Sequence, residues 1–260
     1  MPITDSFDPI TPEVISAAQM IKPIEGFPET MIVTFQPYTF SVLLQQFQAK
    51  PLASLNLEED HDTTSLAGQA FSFEYKGSSL GACLSPVGAP TTVATLEKAV
   101  AFGVKKFVVF GTCGTLVPNL DTGGVIIPTQ AYRDEGTSYH YAEASDFIDI
   151  STATKTSEIL TEMGIPHTLG KVWTTDAFFR ETQANLSKRI EAGCIAVDME
   201  ASAIAAFAQF RGVDVHHFIY AADHLGDETW DPRILGTLGS EPRARYLRLA
   251  AEISLRLGTS

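Results

Sequence analysis

Two acidic residues stand where a fold of alternating strands and helices usually binds its ligand. Glu200 opens an alanine-rich segment that predicts a helix running to Gly212. Asp223 follows the apolar run 215–222, which predicts a buried strand. In open α/β sheets ligands bind outside the carboxyl ends of the strands, so we expect both carboxylates at one sheet edge. Such a pair suits chemistry on a sugar or a glycosidic bond, where one group orients hydroxyls and the other moves a proton.

Each carboxylate also has a purely structural explanation. Asp223 could cap the loop that follows it, and Glu200 could be favoured at a helix start by the helix dipole. It is their joint placement beside a glycine-containing loop that favours a functional role.

That loop and an aromatic pair supply further candidates after two other predicted strands. The segment Gly111-Thr112-Cys113-Gly114 follows the strand 106–110, and its backbone N–H groups could cradle an anion, although a plain tight turn has the same composition. Phe178 and Phe179 follow the strand 171–174. Their rings could stack on a planar ligand or pack in the core.

The elements that must position these residues alternate along the chain. The predicted strands cover residues 31–35, 71–75, 80–85, 106–110, 124–128, 171–174 and 215–222. The predicted helices cover residues 38–49, 91–102, 154–163, 199–212 and 242–257. We predict residues 1–30, which are proline-rich, to be an irregular N-terminal arm, and residues 31–260 to be one domain. The alternation predicts a single-domain, three-layer α/β fold, with a mostly parallel sheet flanked by helices.

Composition narrows the class of protein. The chain has 260 residues, of which 45% are hydrophobic and 19% charged, as in ordinary globular proteins. A net charge of −13 argues against nucleic acid or an anionic membrane as the partner. Three widely spaced cysteines, Cys83, Cys113 and Cys194, predict reduced thiols and no metal site. The N-terminus lacks a leader pattern and no apolar run is long enough to span a membrane, so we expect a cytosolic protein.

Five motifs in this order and spacing resemble the purine-nucleoside and uridine phosphorylase family, which also contains the methylthioadenosine/adenosylhomocysteine nucleosidases. They are Val87-Gly88-Ala89-Pro90, Val108-Val109-Phe110-Gly111-Thr112-Cys113-Gly114, Thr174-Thr175-Asp176-Ala177-Phe178, Val197-Asp198-Met199-Glu200-Ala201 and Ala222-Asp223-His224. The resemblance covers roughly residues 31–257. It implies an α/β domain around a distorted central sheet, assembled as a homo-oligomer, either a dimer or a trimer of dimers.

The resemblance also implies roles for matched positions. Met199 and Glu200 match the pair that binds ribose, with the glutamate holding the 2′- and 3′-hydroxyls. Phe178 matches the aromatic residue at the base, and we group Phe179 with it. Thr112, beside Gly111, matches the hydroxyl residue that helps to hold phosphate. Asp223 matches the acid that protonates N7 of a purine leaving group, a role that favours an oxocarbenium-like transition state.

The chain departs from the family at its phosphate-binding positions. Where the phosphorylases have Gly-Asp-Pro-x-Arg, this chain reads Phe35-Gln36-Pro37-Tyr38-Thr39, and Val109 stands where an arginine usually precedes the glycine loop. The third phosphate-binding arginine of the family has no clear match near Leu66. Phosphate recognition depends on arginine forks, so Arg133 and Arg180 are candidate substitutes, with loop or surface salt bridges as the alternative. The water-activating glutamate of the nucleosidases is not matched either.

We therefore expect cleavage of the N-glycosidic bond of a nucleoside, with purine favoured because Asp223 is present. The expected reaction is phosphate-dependent pentosyl transfer, with phosphate as co-substrate and no other cofactor. Two alternatives stay open: a hydrolytic nucleosidase on the same scaffold, and a catalytically silent nucleoside-binding protein.

Overall fold

The computed structural model describes residues 3–54, 69–226 and 229–257. These residues form two compact units. The first takes in residues 3–9, 88–90, 111–226 and 229–238, and the second takes in residues 10–54, 69–87, 91–110 and 239–257.

Strands and helices alternate through most of the described chain. The strands are β1 (Thr30–Thr34), β2 (Lys50–Ser54), β3 (Gln69–Tyr75), β4 (Ser78–Leu84), β5 (Lys106–Thr115), β6 (Val125–Asp134), β7 (Phe147–Asp149), β8 (His167–Thr175), β9 (Cys194–Asp198) and β10 (Asp214–His224). The helices are α1 (Ala17–Met20), α2 (Pro37–Gln46), α3 (Ala89–Phe102), α4 (Ala153–Glu162), α5 (Gln183–Glu191), α6 (Ala201–Arg211) and α7 (Ser240–Leu257). Short 3-10 turns occupy Ile3–Asp5, Thr137–His140 and Phe178–Arg180.

The first unit carries a mixed sheet with helices packed on it. Its strands follow the order β10, β6, β8, β9 and the carboxyl half of β5, with β7 on β6. The pairs β6–β8 and β8–β9 are parallel, whereas β10–β6, β6–β7 and β5–β9 are antiparallel. Helices α4 and α6 pack on β6, and α5 packs on β9. This arrangement places the carboxyl ends of β8 and β9 side by side.

The second unit has its own sheet section, in the order β5 (residues 106–110), β1, β4, β3, β2. Its central pairs, β5–β1 and β1–β4, are parallel. The hairpin β3–β4 turns at Lys76 and Gly77, whose φ values of 49° and 81° are the left-handed pair that a two-residue hairpin turn requires. Helix α7 packs on α2, β1 and β4.

The α/β class with a sheet flanked by helices, predicted from the alternation, is confirmed. The sheet is mixed and not mostly parallel as predicted, because the pairs β2–β3, β3–β4, β5–β9, β6–β7 and β10–β6 are antiparallel. Several predicted elements are longer in the structure, and the short or polar elements β2, β7, α5 and β9 have no counterpart in the prediction. None of the helices in the described residues is long and apolar enough to cross a membrane.

Candidate active site

One carboxylate holds the turn between β9 and α6 and thereby positions another. Asp198, the last residue of β9, accepts the backbone N–H groups of Glu200 and Ala201 through Oδ2 at 3.1 and 2.7 Å. Its Oδ1 accepts the hydroxyl of Thr174 at 2.7 Å. These bonds satisfy N–H groups that a helix start leaves unpaired, so Asp198 fixes the backbone at the half-buried Met199 and at Glu200.

Glu200 is a buried carboxyl with a defined orientation. The residue is 7% exposed, and its Oε1 accepts the backbone N–H of Gly88 at 2.7 Å. Burial raises the pKa of Glu200, and the negative charge of Asp198 adds to the shift. A carboxylate that has lost water in this way gains most from a ligand that returns hydrogen-bond donors, such as sugar hydroxyls.

Asp223 lies near the carboxyl end of β10 and is 4% exposed. Its Oδ2 accepts the indole N–H of Trp230 at 2.8 Å. Burial raises the pKa of Asp223, while the Trp230 hydrogen bond and the charge of Arg233 act in the opposite direction. A raised pKa favours the protonated form of the carboxyl group, which is the form that a general acid needs.

Strand β5 brings the ends of β9 and β10 together. Gly114 pairs with Val197, one residue before Asp198. A Cβ atom built on Gly114 would lie 3.2 Å from a methyl carbon of Val197 and 3.4 Å from Oδ1 of Asp223. The Thr115 hydroxyl also donates to the carbonyl of Asp223 at 3.1 Å. The carboxyl end of β9, two residues before Glu200, and the end of β10 that carries Asp223 therefore meet at Gly114 in the first unit.

A cleft of about 270 Å³ opens beside Asp223. It is lined by Phe178, Phe179, Glu181, Gln183, Leu186, Asp223, Leu225 and Trp230. The volume is close to the lower end of the range usual for small-molecule sites, and the lining combines aromatic faces with a few polar groups.

The aromatic pair forms one wall of this cleft. Phe178 and Phe179 lie on a 3-10 turn after β8, with their ring centroids 4.8 Å apart at an interplanar angle of 73°. They are 43% and 92% exposed, which argues against the alternative of core packing. Exposed aromatic faces in a cleft are suited to stacking on a heterocyclic base.

The segment Gly111–Gly114 is not the loop that the sequence predicts. Strand β5 continues through it to Thr115 and pairs with β9 at Gly114 and Thr115. Glycine serves here for close approach, because a Cβ on Gly114 would lie 2.2 Å from a methyl carbon of Leu225. Gly111 and the half-buried Thr112 are therefore strand residues, and an anion cradle built from a tight turn is wrong for this segment.

Arg133 has a structural environment. Its side chain donates to the hydroxyls of Ser138 and Ser145 at 2.8 and 3.1 Å and to the carbonyls of Ala142 and Glu143. The residue is 3% exposed. The guanidinium therefore holds the 133–145 loop, and its geometry favours the loop role over that of a phosphate ligand.

Arg180 is exposed at the end of the 3-10 turn that carries the aromatic pair. Its backbone N–H donates to the carbonyl of Ala177 at 2.7 Å. It is next to the cleft in sequence but is not among the residues that line it.

The sequence prediction missed a second carboxyl in the cleft. Glu181 lies between the aromatic pair and α5, lines the cleft with Asp223 and is half-buried. Burial raises the pKa of Glu181 to about 7, and the charge of Asp223 contributes. The sequence signal that could have indicated Glu181 is its position two residues beyond the candidate base-binding residue Phe179.

A buried arginine in the second unit was also missed. Arg243, in the first turn of α7, is 7% exposed and donates to the side chains of Gln36 and Thr39, the latter at 3.3 Å. Its guanidinium carbon lies 5.8 Å from the centroid of the Tyr38 ring. The sequence signal was its helical spacing, since Arg243 shares one buried stripe with Leu247 and Ala250.

Within the described residues no group of three or more histidine, cysteine, aspartate or glutamate side chains is arranged to hold a metal ion. His216 and His217 point to opposite faces of β10, as neighbours on a strand must.

The α/β fold, the buried carboxyls of Glu200 and Asp223 and the aromatic cleft beside Asp223 agree with the family that the five motifs indicate. The chain belongs to the phosphorylase superfamily, whose family model matches residues 31–241. The family predicted from the five motifs is thereby confirmed.

Curated relatives carry phosphorylase names. A protein named purine nucleoside phosphorylase DeoD-type, from Bacillus cereus, is 28% identical over 201 residues, which are 73% of this chain and 84% of the relative. A protein named guanosine phosphorylase, from Halorubrum lacusprofundi, is 28% identical over 141 residues, which are 54% of this chain and 58% of the relative.

Proposed function

We propose that this protein cleaves the N-glycosidic bond of purine nucleosides by transferring the pentose to phosphate. The observation that carries the proposal is the meeting of two carboxyl-bearing strand ends on Gly114, with Asp223 lining an aromatic cleft. The relatives named purine nucleoside phosphorylase and guanosine phosphorylase support the same class of substrate.

Glu200 is the proposed ribose ligand. Its carboxylate, oriented by the N–H of Gly88, would accept hydrogen bonds from the 2′- and 3′-hydroxyls. Those donors compensate the desolvation that raises its pKa, so binding of a diol favours the charged form. A negative charge beside the sugar stabilises the positive charge that develops on the ring as the glycosidic bond breaks.

Asp223 is the proposed acid for the leaving base. A purine leaves more easily when N7 is protonated, and the burial that raises the pKa of Asp223 favours the protonated carboxyl that would supply this proton. The phenylalanine pair would hold the base by stacking.

A nucleoside panel tests the proposal. Adenosine, inosine, guanosine and uridine are incubated with the protein, with and without inorganic phosphate, and the release of free base is measured. We expect base release from purine nucleosides only, and only with phosphate. Release of free base without phosphate would establish hydrolysis. Binding of nucleosides without release of base would establish a catalytically silent nucleoside-binding protein.

The Asp223→Asn variant tests the assigned acid. General acid catalysis contributes about 10²–10⁴-fold, so this variant should lose most activity on natural purine nucleosides. It should retain activity on a nucleoside whose leaving group needs no proton. The Glu158→Gln variant, which removes an exposed carboxylate of α4, is the matched control and should behave as wild type.

A further inference from the structure

Glu181 is a carboxyl in the cleft to which the proposed reaction gives no role. Its backbone is held on both sides, because the Arg180 carbonyl accepts the N–H of Thr182 at 2.9 Å and the Thr182 hydroxyl caps α5 at Asn185. The side chain lines the same cleft as Asp223, and the negative charge of Asp223 contributes to the raised pKa of Glu181. A half-buried carboxyl that lines a cleft is a candidate ligand-binding group.

Acceptor oxygens predominate among the polar groups of the residues that line this cleft. Glu181 and Asp223 carry carboxyl groups, Gln183 carries a carboxamide with one acceptor and one donor group, and Trp230 carries an indole N–H, which is a donor. The indole N–H already donates to Asp223. No lysine, arginine or histidine is among the described residues that line the cleft. Such a wall suits a ligand edge that is rich in N–H donors.

The nucleobases differ in the number of neighbouring N–H donors that one edge of the ring presents. Guanine presents two neighbouring donors, N1–H and the 2-amino group, which one carboxylate can accept together. Hypoxanthine presents only N1–H, because it lacks the amino group. Uracil presents a single N3–H between two carbonyl oxygens, which a carboxylate would repel. A bidentate contact to a carboxylate is stronger and more selective than a single hydrogen bond.

We propose that Glu181 is the specificity-determining residue of the cleft, and that it selects 2-amino-6-oxopurine nucleosides by accepting N1–H and the 2-amino group. The inference rests on the proposed cleavage of purine nucleosides. It adds a preference within that class, for guanosine over inosine, which differ only by the amino group.

The ratio of kcat/KM for guanosine to kcat/KM for inosine tests the inference. We expect guanosine to be preferred by the wild type, and the Glu181→Gln variant to lose roughly tenfold of that preference. The amide has one acceptor and one donor, so its NH₂ would oppose the 2-amino group. The Glu191→Gln variant, which removes an exposed carboxylate at the end of α5, should keep the wild-type ratio.

The pH dependence of the same ratio separates recognition from a structural role. Only the ionised carboxylate accepts two donors, so the wild-type ratio should rise with pH through about 7, where Glu181 titrates. Among the described residues, Asp223 is the titratable group that lines the cleft with Glu181, and Arg180 is its charged neighbour in sequence. Ionisation of Asp223 affects both substrates and cancels in the ratio. In Glu181→Gln the ratio should be independent of pH.

Two results would overturn the inference while leaving the proposed function in place. One is equal kcat/KM for guanosine and inosine in the wild type, and the other is an unchanged ratio in Glu181→Gln. If the wild type cleaves no nucleoside, the proposed function fails, and the inference is tested by binding instead. Quenching of tryptophan fluorescence, to which Trp230 in the cleft contributes, would give the dissociation constants of guanosine and inosine. An equal ratio of these two constants in wild type and Glu181→Gln would overturn the inference.

Discussion

Trp230 donates its indole N–H to Oδ2 of Asp223 at 2.8 Å, so one oxygen of the proposed acid is occupied by the protein and the other is left for the ligand. The bond stabilises the carboxylate form and opposes the upward shift in pKa that burial causes. The indole thus limits the upward shift in the pKa of Asp223.

The Trp230→Phe variant should raise the pKa of Asp223 further. Phenylalanine preserves an aromatic wall but removes the donor, so the acid form persists to higher pH. The alkaline limb of the kcat/KM profile for a purine nucleoside should therefore move to higher pH. An alkaline limb at the wild-type position would remove Trp230 from the control of this group.

The Glu200→Gln variant should lose turnover while its thermal stability at alkaline pH stays equal or rises. Hydrogen bonds from two hydroxyls to a charged acceptor contribute about 1.5–3 kcal/mol each, so turnover should fall by orders of magnitude. The variant also removes a buried carboxyl whose pKa is raised, and its Tm at alkaline pH should equal or exceed that of wild type. Steady-state kinetics and thermal melts measure the two effects. Near-normal turnover would exclude Glu200 from the site.

The Gly114→Ala variant should damage the cleft without unfolding the sheet. The added methyl group would lie 2.2 Å from the end of the Leu225 side chain, which must then move. Leu225 lines the cleft, so we expect a higher KM for the nucleoside, by roughly tenfold. Gly193→Ala, at a surface turn, would not serve as a control, because Gly193 has a φ of +89°, a backbone conformation that alanine rarely adopts. Unchanged KM with unchanged stability would show that Leu225 repacks without effect on the ligand.

His217 should make the protein sensitive to acid. Burial lowers the pKa of His217 from its usual value of 6.5 to about 4, so the unfolded state binds the proton first as pH falls. The contribution of the neutral imidazole is fully present above pH 6.5 and is lost as pH falls towards 4, by up to about 3 kcal/mol. Urea unfolding of wild type and His217→Leu across this range should show a difference that changes with pH. The exposed His140→Gln variant should run parallel to wild type, and a parallel curve for His217→Leu would contradict the prediction.

The sequence predicted the class of fold and the two main carboxylates because both depend on local patterns. Alternating apolar runs predicted α/β structure, and the ends of those runs marked Glu200 and Asp223. Gly111–Gly114 was mistaken for a loop because glycine has the same local signature in a turn and at a close strand crossing. Only the tertiary position of Leu225 distinguishes the two.

The remaining errors concern charged residues whose partners are distant in sequence or emerge only with the fold. The sequence suggested that Arg133 could bind phosphate, whereas in the structure its side chain donates hydrogen bonds to the 138–145 segment. Arg243 contacts Thr39, which lies 204 positions away, so no local pattern connects them. Glu181 was overlooked because its significance depends on the shared cleft with Asp223.

The most direct test follows the phosphate itself during the reaction. Guanosine or inosine is mixed with the wild-type protein and inorganic phosphate, and ³¹P NMR is recorded while free base is quantified. We expect a new sugar 1-phosphate resonance that grows in equal molar amount with the free base. Base released with free ribose and no new phosphorus resonance, or no base released at all, would contradict phosphate-dependent cleavage by this protein.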